Sequence, residues 1–144
     1  MMYPPPPELV AIHWLKQLAT LYTDLVTDAG NGLPDQSTWT KPCWVQATHV
    51  VSNQDLYSPE RNPYVFVDVW ADRQHYNHVS TVAEMIVDAA LDGSGLGEHV
   101  VKAGFYPVRL AEVSVFTGPR PIVDDPAELA RSNMTLAFIY VINT

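Results

Sequence analysis

The sequence contains a single cysteine, Cys43, in 144 residues. One cysteine excludes an internal disulfide and any metal site built from several cysteines. Its sequence neighbours Trp44 and Val45 are apolar, whereas a reactive thiol needs an electropositive and exposed setting. The sequence therefore predicts that Cys43 is a small residue of the core.

Basic residues are scarce. The chain has 8 Lys and Arg against 16 Asp and Glu, which gives a formal net charge of -8, and the basic residues are scattered rather than clustered. A protein that grips nucleic acid by neutralising phosphates needs the opposite sign of charge. We therefore expect no sequence-specific binding of nucleic acid, although an acidic surface that DNA slides past is compatible with this charge.

Long apolar runs are missing as well. No segment approaches the roughly 20 apolar residues of a membrane-spanning helix, and residues 1–7 lack the basic and apolar regions of a signal peptide. A chain of 144 residues fits one domain. We therefore expect a single domain over residues 1–144, made in the cytoplasm and without a membrane partner, in which residues 1–7 form an extended proline-rich arm.

Two segments have the three- and four-residue spacing of apolar side chains that predicts amphipathic helices. The first covers residues 8 to about 27 and stops at Gly30-Asn31-Gly32. The second covers residues 79–91, with Asn77 as its N-cap and Gly93 at its end.

Four further segments favour β-strands, at residues 43–51, 64–71, 108–117 and 133–142. The second of them is apolar on both faces, which is typical of an inner strand or of a strand whose second face is covered. The order helix, strand, strand, helix, strand, strand predicts an α+β fold. We expect one mixed, mostly antiparallel sheet of about four strands, with two helices packed on one face.

Two long proline-containing loops are predicted, at residues 52–63 and 118–131. Loops of this length in a compact domain tend to be functional, and their prolines reduce the entropy that is lost on docking. We expect both loops to contact neighbouring proteins. The interface candidates, including one residue of the second strand, are Pro59, Glu60, Arg61, Asp68, Arg120, Asp124, Asp125 and Arg131.

Asp68 is a carboxylate within the most apolar strand, where burial is costly unless the charge is paired. A functional acid is one interpretation. An ion pair with an arginine, or a position at a subunit contact, is the interpretation that we favour.

The remaining polar clusters carry weaker signals. Asp72, His75 and His78 could hold a divalent metal, but ordinary polar loop residues explain the same spacing better. The acidic residues at positions 84, 88 and 92 share one helix face, which is either solvated or directed at a partner or a ring lumen. No nucleotide loop or nucleophile motif is present. We therefore expect no enzyme activity and assign no catalytic residue, cofactor or metal.

Three segments, which follow one another along the chain, resemble tail terminator proteins of actinobacterial siphophages. Together they span nearly the whole chain. The first is Pro-Pro-Glu-Leu-Val followed by Trp14-Leu15, and the third runs from Gly118-Pro119-Arg120-Pro121 through Asp125-Pro126 to Ala130-Arg131. The middle segment matches the family's Pro-x-Val-x-Val-Asp-x-Trp-Ala strand and reads Asn62-Pro63-Tyr64-Val65-Phe66-Val67-Asp68-Val69-Trp70-Ala71.

The resemblance implies a structural protein at the neck of a virion. Such a protein forms a homohexameric ring that caps the tail tube, ends polymerisation of the tube protein and presents a surface to the head–tail connector. In a ring of acidic subunits, we expect a lumen that repels DNA weakly, with the acidic helix face or the pair Asp124 and Asp125 contributing. No catalytic residues come with the family.

Two other interpretations remain open at this point. One is a different neck component, a head completion or head–tail adaptor protein, although such proteins tend to be mostly helical. The other is a small ligand-binding domain or enzyme.

Overall fold

The computed structural model describes residues 2–19, 24–52, 59–122 and 129–144. Its described part contains two α-helices, seven β-strands and two short 3-10 turns, at Gln36–Thr38 and Arg73–His75. The helices and strands, in chain order, are α1 (Pro7–Ala19), β1 (Val26–Gly30), β2 (Cys43–Ser52), β3 (Glu60–Arg61), β4 (Pro63–Asp72), α2 (Tyr76–Asp92), β5 (Gly97–His99), β6 (Val108–Ile122) and β7 (Leu129–Ile142).

All of these strands belong to one curled mixed sheet with the order β1-β2-β4-β7-β6-β5, in which β3 pairs with β7 next to β4. The β1–β2 pair is parallel and the other pairs are antiparallel. The predicted α+β class is therefore retained, but the prediction of about four strands is wrong. The four predicted strands correspond to β2, β4, β6 and β7, and the missed strands are β1, β3 and β5.

The missed strands are short, and one of them overlaps the end of the predicted first helix. The sequence predicts that helix to about residue 27, whereas α1 is described over Pro7–Ala19 and Val26–Gly30 forms β1. The helical spacing of apolar residues continues through Leu25 and Val26. The pattern therefore cannot distinguish a longer helix from the strand β1. β3 and β5 have two and three residues, which is too short for a two-residue alternation to be recognised.

The second helix is longer than predicted. The helix α2 begins at Tyr76, so Asn77 lies inside the helix and the prediction of Asn77 as N-cap is wrong. His75 occupies the N-cap position, but its side chain makes no capping hydrogen bond. Asp72 instead caps the preceding turn, because its Oδ1 accepts hydrogen bonds from the backbone N–H groups of Gln74 and His75 at 2.8 and 3.2 Å. The predicted end at Gly93 is confirmed by its left-handed φ of 77°.

Parts of both predicted loops are strand. Glu60 and Arg61 pair with β7, and Ile142 donates its backbone N–H to the Pro59 carbonyl at 3.0 Å. β6 extends to Ile122 and β7 begins at Leu129, so only residues 123–128 of the second predicted loop, and residues 53–58 of the first, lie outside the described residues. Prolines are tolerated in this part of β6 because β5 pairs only with residues 108–110, so that β7 is the one described strand beside residues 118–122.

The core lies between the two helices and one face of the sheet. Val65, Val67 and Val69 of β4 are fully buried, and their partners on β7 include Leu136 and Met134. Trp14 of α1 is fully buried and meets Phe138 in an edge-to-face contact with ring centroids 5.8 Å apart. The buried face of α2 packs on the same side, through Val79, Val82, Ala83, Ile86, Ala89 and Ala90. No helix in the described part of the chain is long and apolar enough to cross a membrane.

Cys43 is confirmed as a core residue, with 0% of its surface exposed. Burial raises the pKa of its thiol to about 12, so the thiol stays protonated at neutral pH. We expect a thiol reagent to modify the native protein no faster than global unfolding, and the unfolded protein at once. Comparing the labelling rate with the unfolding rate in increasing urea checks this, and rapid labelling of the native chain would contradict it.

Candidate functional site: the outer face of the sheet

Alternate residues of β4 lie on the face of the sheet opposite the helices, because successive side chains of a strand point to opposite sides. Tyr64, Phe66, Asp68 and Trp70 are absent from the core cluster that contains the valines between them. The strand register adds residues of β2, β6 and β7 to this surface. We call it the outer face and define it by Trp44, Gln46, Tyr64, Phe66, Asp68, Trp70, Phe116, Arg131 and Asn133.

Asp68 is the centre of the polar part of the outer face. It is 5% exposed, and its Oδ1 accepts hydrogen bonds from Arg131 Nε at 2.9 Å and from Asn133 Nδ2 at 2.7 Å. The β4–β7 register produces both contacts, since Asp68 is directly opposite Asn133 and Arg131 is two residues further along β7. The predicted ion pair with an arginine is confirmed. Asp68 therefore has the partners that a buried carboxylate requires.

A tryptophan holds the arginine of this pair in place. The Arg131 guanidinium carbon lies 4.8 Å from the centre of the Trp70 ring, which is the geometry of a cation–π contact. Trp70 in turn donates its Nε1–H to Gln46 Oε1 at 3.1 Å. These contacts join β2, β4 and β7 through side chains, so the polar part of the outer face is rigid.

An apolar part adjoins the polar part. The rings of Tyr64 and Phe116 are 4.9 Å apart, and Phe116 and Phe66 are 67% and 40% exposed. Phe116 is the extra residue of a bulge, because Val115 and Thr117 pair with consecutive residues of β7. Exposed aromatic side chains that lie close together are typical of protein contact sites.

Phe66 and Phe116 are not among the site residues that the sequence predicts. The one signal was the apolar character of both faces of the second predicted strand, which indicated an inner strand. β4 is an inner strand, between β2 and β7. Phe116 gave no such signal, because its orientation depends on the bulge.

The sequence-predicted interface residues are divided between two places. Arg120 lies opposite Asn133 in the register, so it continues the row of Asp68 and Asn133. Pro59, Glu60 and Arg61 lie next to the opposite end of β7, beside Tyr140 to Ile142. Asp124 and Asp125 lie outside the described residues. The role of all these residues in an interface stays a prediction.

The three residues considered as a metal site do not converge. His75 Nδ1 contacts Asp72 Oδ1 at 3.0 Å, but the His75 and His78 rings are stacked, with centroids 5.4 Å apart and planes inclined by 26°. Ring nitrogens of stacked imidazoles direct their lone pairs side by side and not at one point. The described residues contain no group of three His, Cys, Asp or Glu side chains placed to hold a metal.

An open groove of about 340 Å³ lies beside these residues, between the segment that contains Trp39 and the Asp72–His75 pair. Trp39 stacks on Trp44 of the outer face, with centroids 6.5 Å apart. Its Nε1–H is buried and has no hydrogen-bond partner within the described chain. Among the described residues, this groove is the feature that best fits the alternative of a small ligand-binding domain.

The acidic stripe of α2 is on the other side of the molecule. Glu84, Asp88 and Asp92 are exposed, and they point away from the helix face that packs on the sheet. The stripe and the outer face therefore cannot line the same surface.

Comparison with models of known protein families gives no match, and a search of curated protein sequences finds no significant relative.

Proposed function

We propose that this protein is a structural subunit of a phage neck, a tail terminator that forms a hexameric ring on the tail tube, ends tube polymerisation and joins the tail to the head connector. The observation that carries the proposal is the outer face. It combines exposed aromatic side chains with a rigid ion-pair network, and both are built around the strand that carries the middle segment of the resemblance to tail terminators.

The aromatic side chains of the outer face are suited to contact with another protein. The fold has a complete core on the helix side of the sheet, so the protein does not need Phe66 and Phe116 for that core. Exposed aromatic rings lose little conformational entropy on docking and bury a large area, which makes them effective contact residues. The rigid neighbours Asp68, Arg131 and Trp70 lower the cost of docking further, because they are ordered before the partner arrives.

The net charge of -8 also supports a ring through which DNA passes. Repeating an acidic subunit around a closed ring multiplies the negative potential, so passing DNA is repelled and does not adhere. Because the acidic stripe of α2 is opposite the outer face, a lumen lined by the stripe would leave the outer face for contacts between proteins.

The test combines the purified chain with the tail tube protein of the same genome and measures tube length by electron microscopy. We expect the wild-type chain to shorten the tubes and to be visible as a six-fold ring at one end. We expect Phe116→Ser to lose this effect without a large change in the free energy of unfolding, since the side chain is mostly exposed.

Leu91→Ser is the matched control. Leu91 is 75% exposed on α2, on the opposite side of the molecule, and its replacement should leave tube capping unchanged. A monomer in free solution is compatible with the proposal, because a ring subunit can assemble on its template. A stable dimer, a twelve-fold ring on the tubes, or tubes that lengthen equally with and without the chain would contradict it.

A further inference from the structure

Two histidines from distant parts of the chain meet where α1 packs beside β5. His13 Nδ1 and His99 Nδ1 are 3.0 Å apart, and the rings are edge-to-face with an angle of 85° between their planes. Gln17 is one helical turn after His13, and its side-chain nitrogen lies 3.2 Å from the same His99 Nδ1. Two side chains of α1 therefore approach the same nitrogen of His99 at this junction.

The tautomer of the neutral His99 ring follows from the contact of its other nitrogen. His99 Nε2 contacts the carbonyl oxygen of Gly95, so Nε2 carries the hydrogen and donates it, which leaves a lone pair on Nδ1. A ring nitrogen that donates to a backbone carbonyl while the other nitrogen stays free is the usual arrangement of a metal-binding histidine. The ring is held in this orientation because His99 is 6% exposed.

We infer that His13 Nδ1, His99 Nδ1 and the side-chain oxygen of Gln17 form a binding site for a divalent transition-metal ion that prefers imidazole, such as Zn²⁺. In the ion-free protein, His99 Nδ1 instead accepts hydrogen bonds from His13 Nδ1 and from the side-chain nitrogen of Gln17. Ion binding requires His13 to carry its hydrogen on Nε2 and the Gln17 amide to turn over, which exchanges nitrogen for oxygen at nearly the same position.

The distances fit a tetrahedral ion. Zn–N bonds of about 2.0–2.1 Å place neighbouring ligand atoms about 3.3 Å apart in a tetrahedron. The observed separations from His99 Nδ1 are 3.0 Å to His13 and 3.2 Å to Gln17, so these two pairs of ligand atoms are already close to the spacing that an ion requires. His13 is partly exposed, which leaves access for a water as fourth ligand. The stacked pair His75 and His78 lacks this convergence.

The ion would connect α1 to the edge strand β5 and so stabilise the attachment of the first helix to the sheet. A ligand that binds the folded state alone stabilises it, and a free concentration of 100 times Kd shifts the folding equilibrium about 100-fold. This inference uses residues outside the outer face and does not depend on the proposed function.

Calorimetric titration of the tag-free protein with Zn²⁺ at neutral pH tests the site, together with thermal unfolding in the presence and absence of Zn²⁺. We expect one ion per chain and a higher unfolding temperature. His13→Ala should abolish both effects, whereas His78→Ala, which removes a histidine from the other pair, should retain them. Gln17→Leu should weaken the affinity by less than His13→Ala.

Co²⁺ provides a second readout, because tetrahedral coordination gives intense visible absorption that His13→Ala should lose. His13 is partly exposed on a helix, so this variant should fold, and circular dichroism checks that it does. Absence of Zn²⁺ binding by the wild-type chain would overturn the inference. Equal binding by His13→Ala and His78→Ala would overturn it too, since the ion would then lie elsewhere.

Discussion

Replacing Asp68 with alanine is expected to lower the free energy of unfolding by about 1–3 kcal/mol, because it leaves the buried Asn133 amide and the partly exposed Arg131 guanidinium without their acceptor. Asp68 accepts from both Arg131 and Asn133, and Asn133 is itself 8% exposed, so water cannot easily replace the lost carboxylate. The cation–π contact between Arg131 and Trp70 should keep the guanidinium close to its present position. Its charge would then remain unpaired.

Urea unfolding followed by tryptophan fluorescence measures this effect, with Asp88→Ala as the control. Asp88 is exposed on α2, and its replacement should change the free energy by less than about 0.5 kcal/mol. Asp68→Asn separates the contribution of the charge to stability from that of the hydrogen bonds, because the amide keeps one oxygen as an acceptor. We expect it to lose less stability than Asp68→Ala. Equal stability of Asp68→Ala and the wild type would show that the network contributes no net free energy.

The elements that the sequence predicts correctly are those whose apolar pattern is long. β2, β4, β6 and β7 each have ten or more residues, and α2 has 17, so their alternation or helical spacing repeats often enough to be recognised. β1 fails this criterion, because its five residues include Asp28 and Gly30, which strands disfavour. Its place at the sheet edge depends on parallel pairing with β2, a contact that no local pattern encodes.

The candidate sites also depend on contacts that no local sequence pattern encodes. The pairing of Asp68 with an arginine was predicted from the cost of burying a carboxylate, without knowledge of which arginine. Identifying Arg131 required the β4–β7 register, which joins residues 63 positions apart. The contacts between Phe116 and Tyr64 and between His13 and His99 likewise depend on a bulge and on the packing of α1 against β5. The sequence thus predicts which residue types need partners, but the tertiary structure selects the partners.

Gly95→Ala is expected to destabilise the fold more than any other glycine-to-alanine substitution in the turn after α2. Gly95 has a φ of +72°, and an added Cβ would lie 2.8 Å from Trp14 Cδ1 and 2.9 Å from Trp14 Nε1. Trp14 cannot move away easily. It is fully buried, contacts Phe138 edge-to-face and donates its Nε1–H to the Ser94 carbonyl at 2.8 Å.

Gly93→Ala is the matched control for this effect, because Gly93 has nearly the same φ, +77°, and the nearest atom to an added Cβ there is a Leu96 carbon at 3.5 Å. Both substitutions incur the left-handed backbone cost of about 1–2 kcal/mol. Gly95→Ala adds the cost of overpacking against Trp14, about 1–3 kcal/mol. The difference between the two variants in urea unfolding therefore isolates the clash. Equal losses would show that the core moves to accept the methyl group, and that α1 is less firmly held against the turn than the Trp14 contacts indicate.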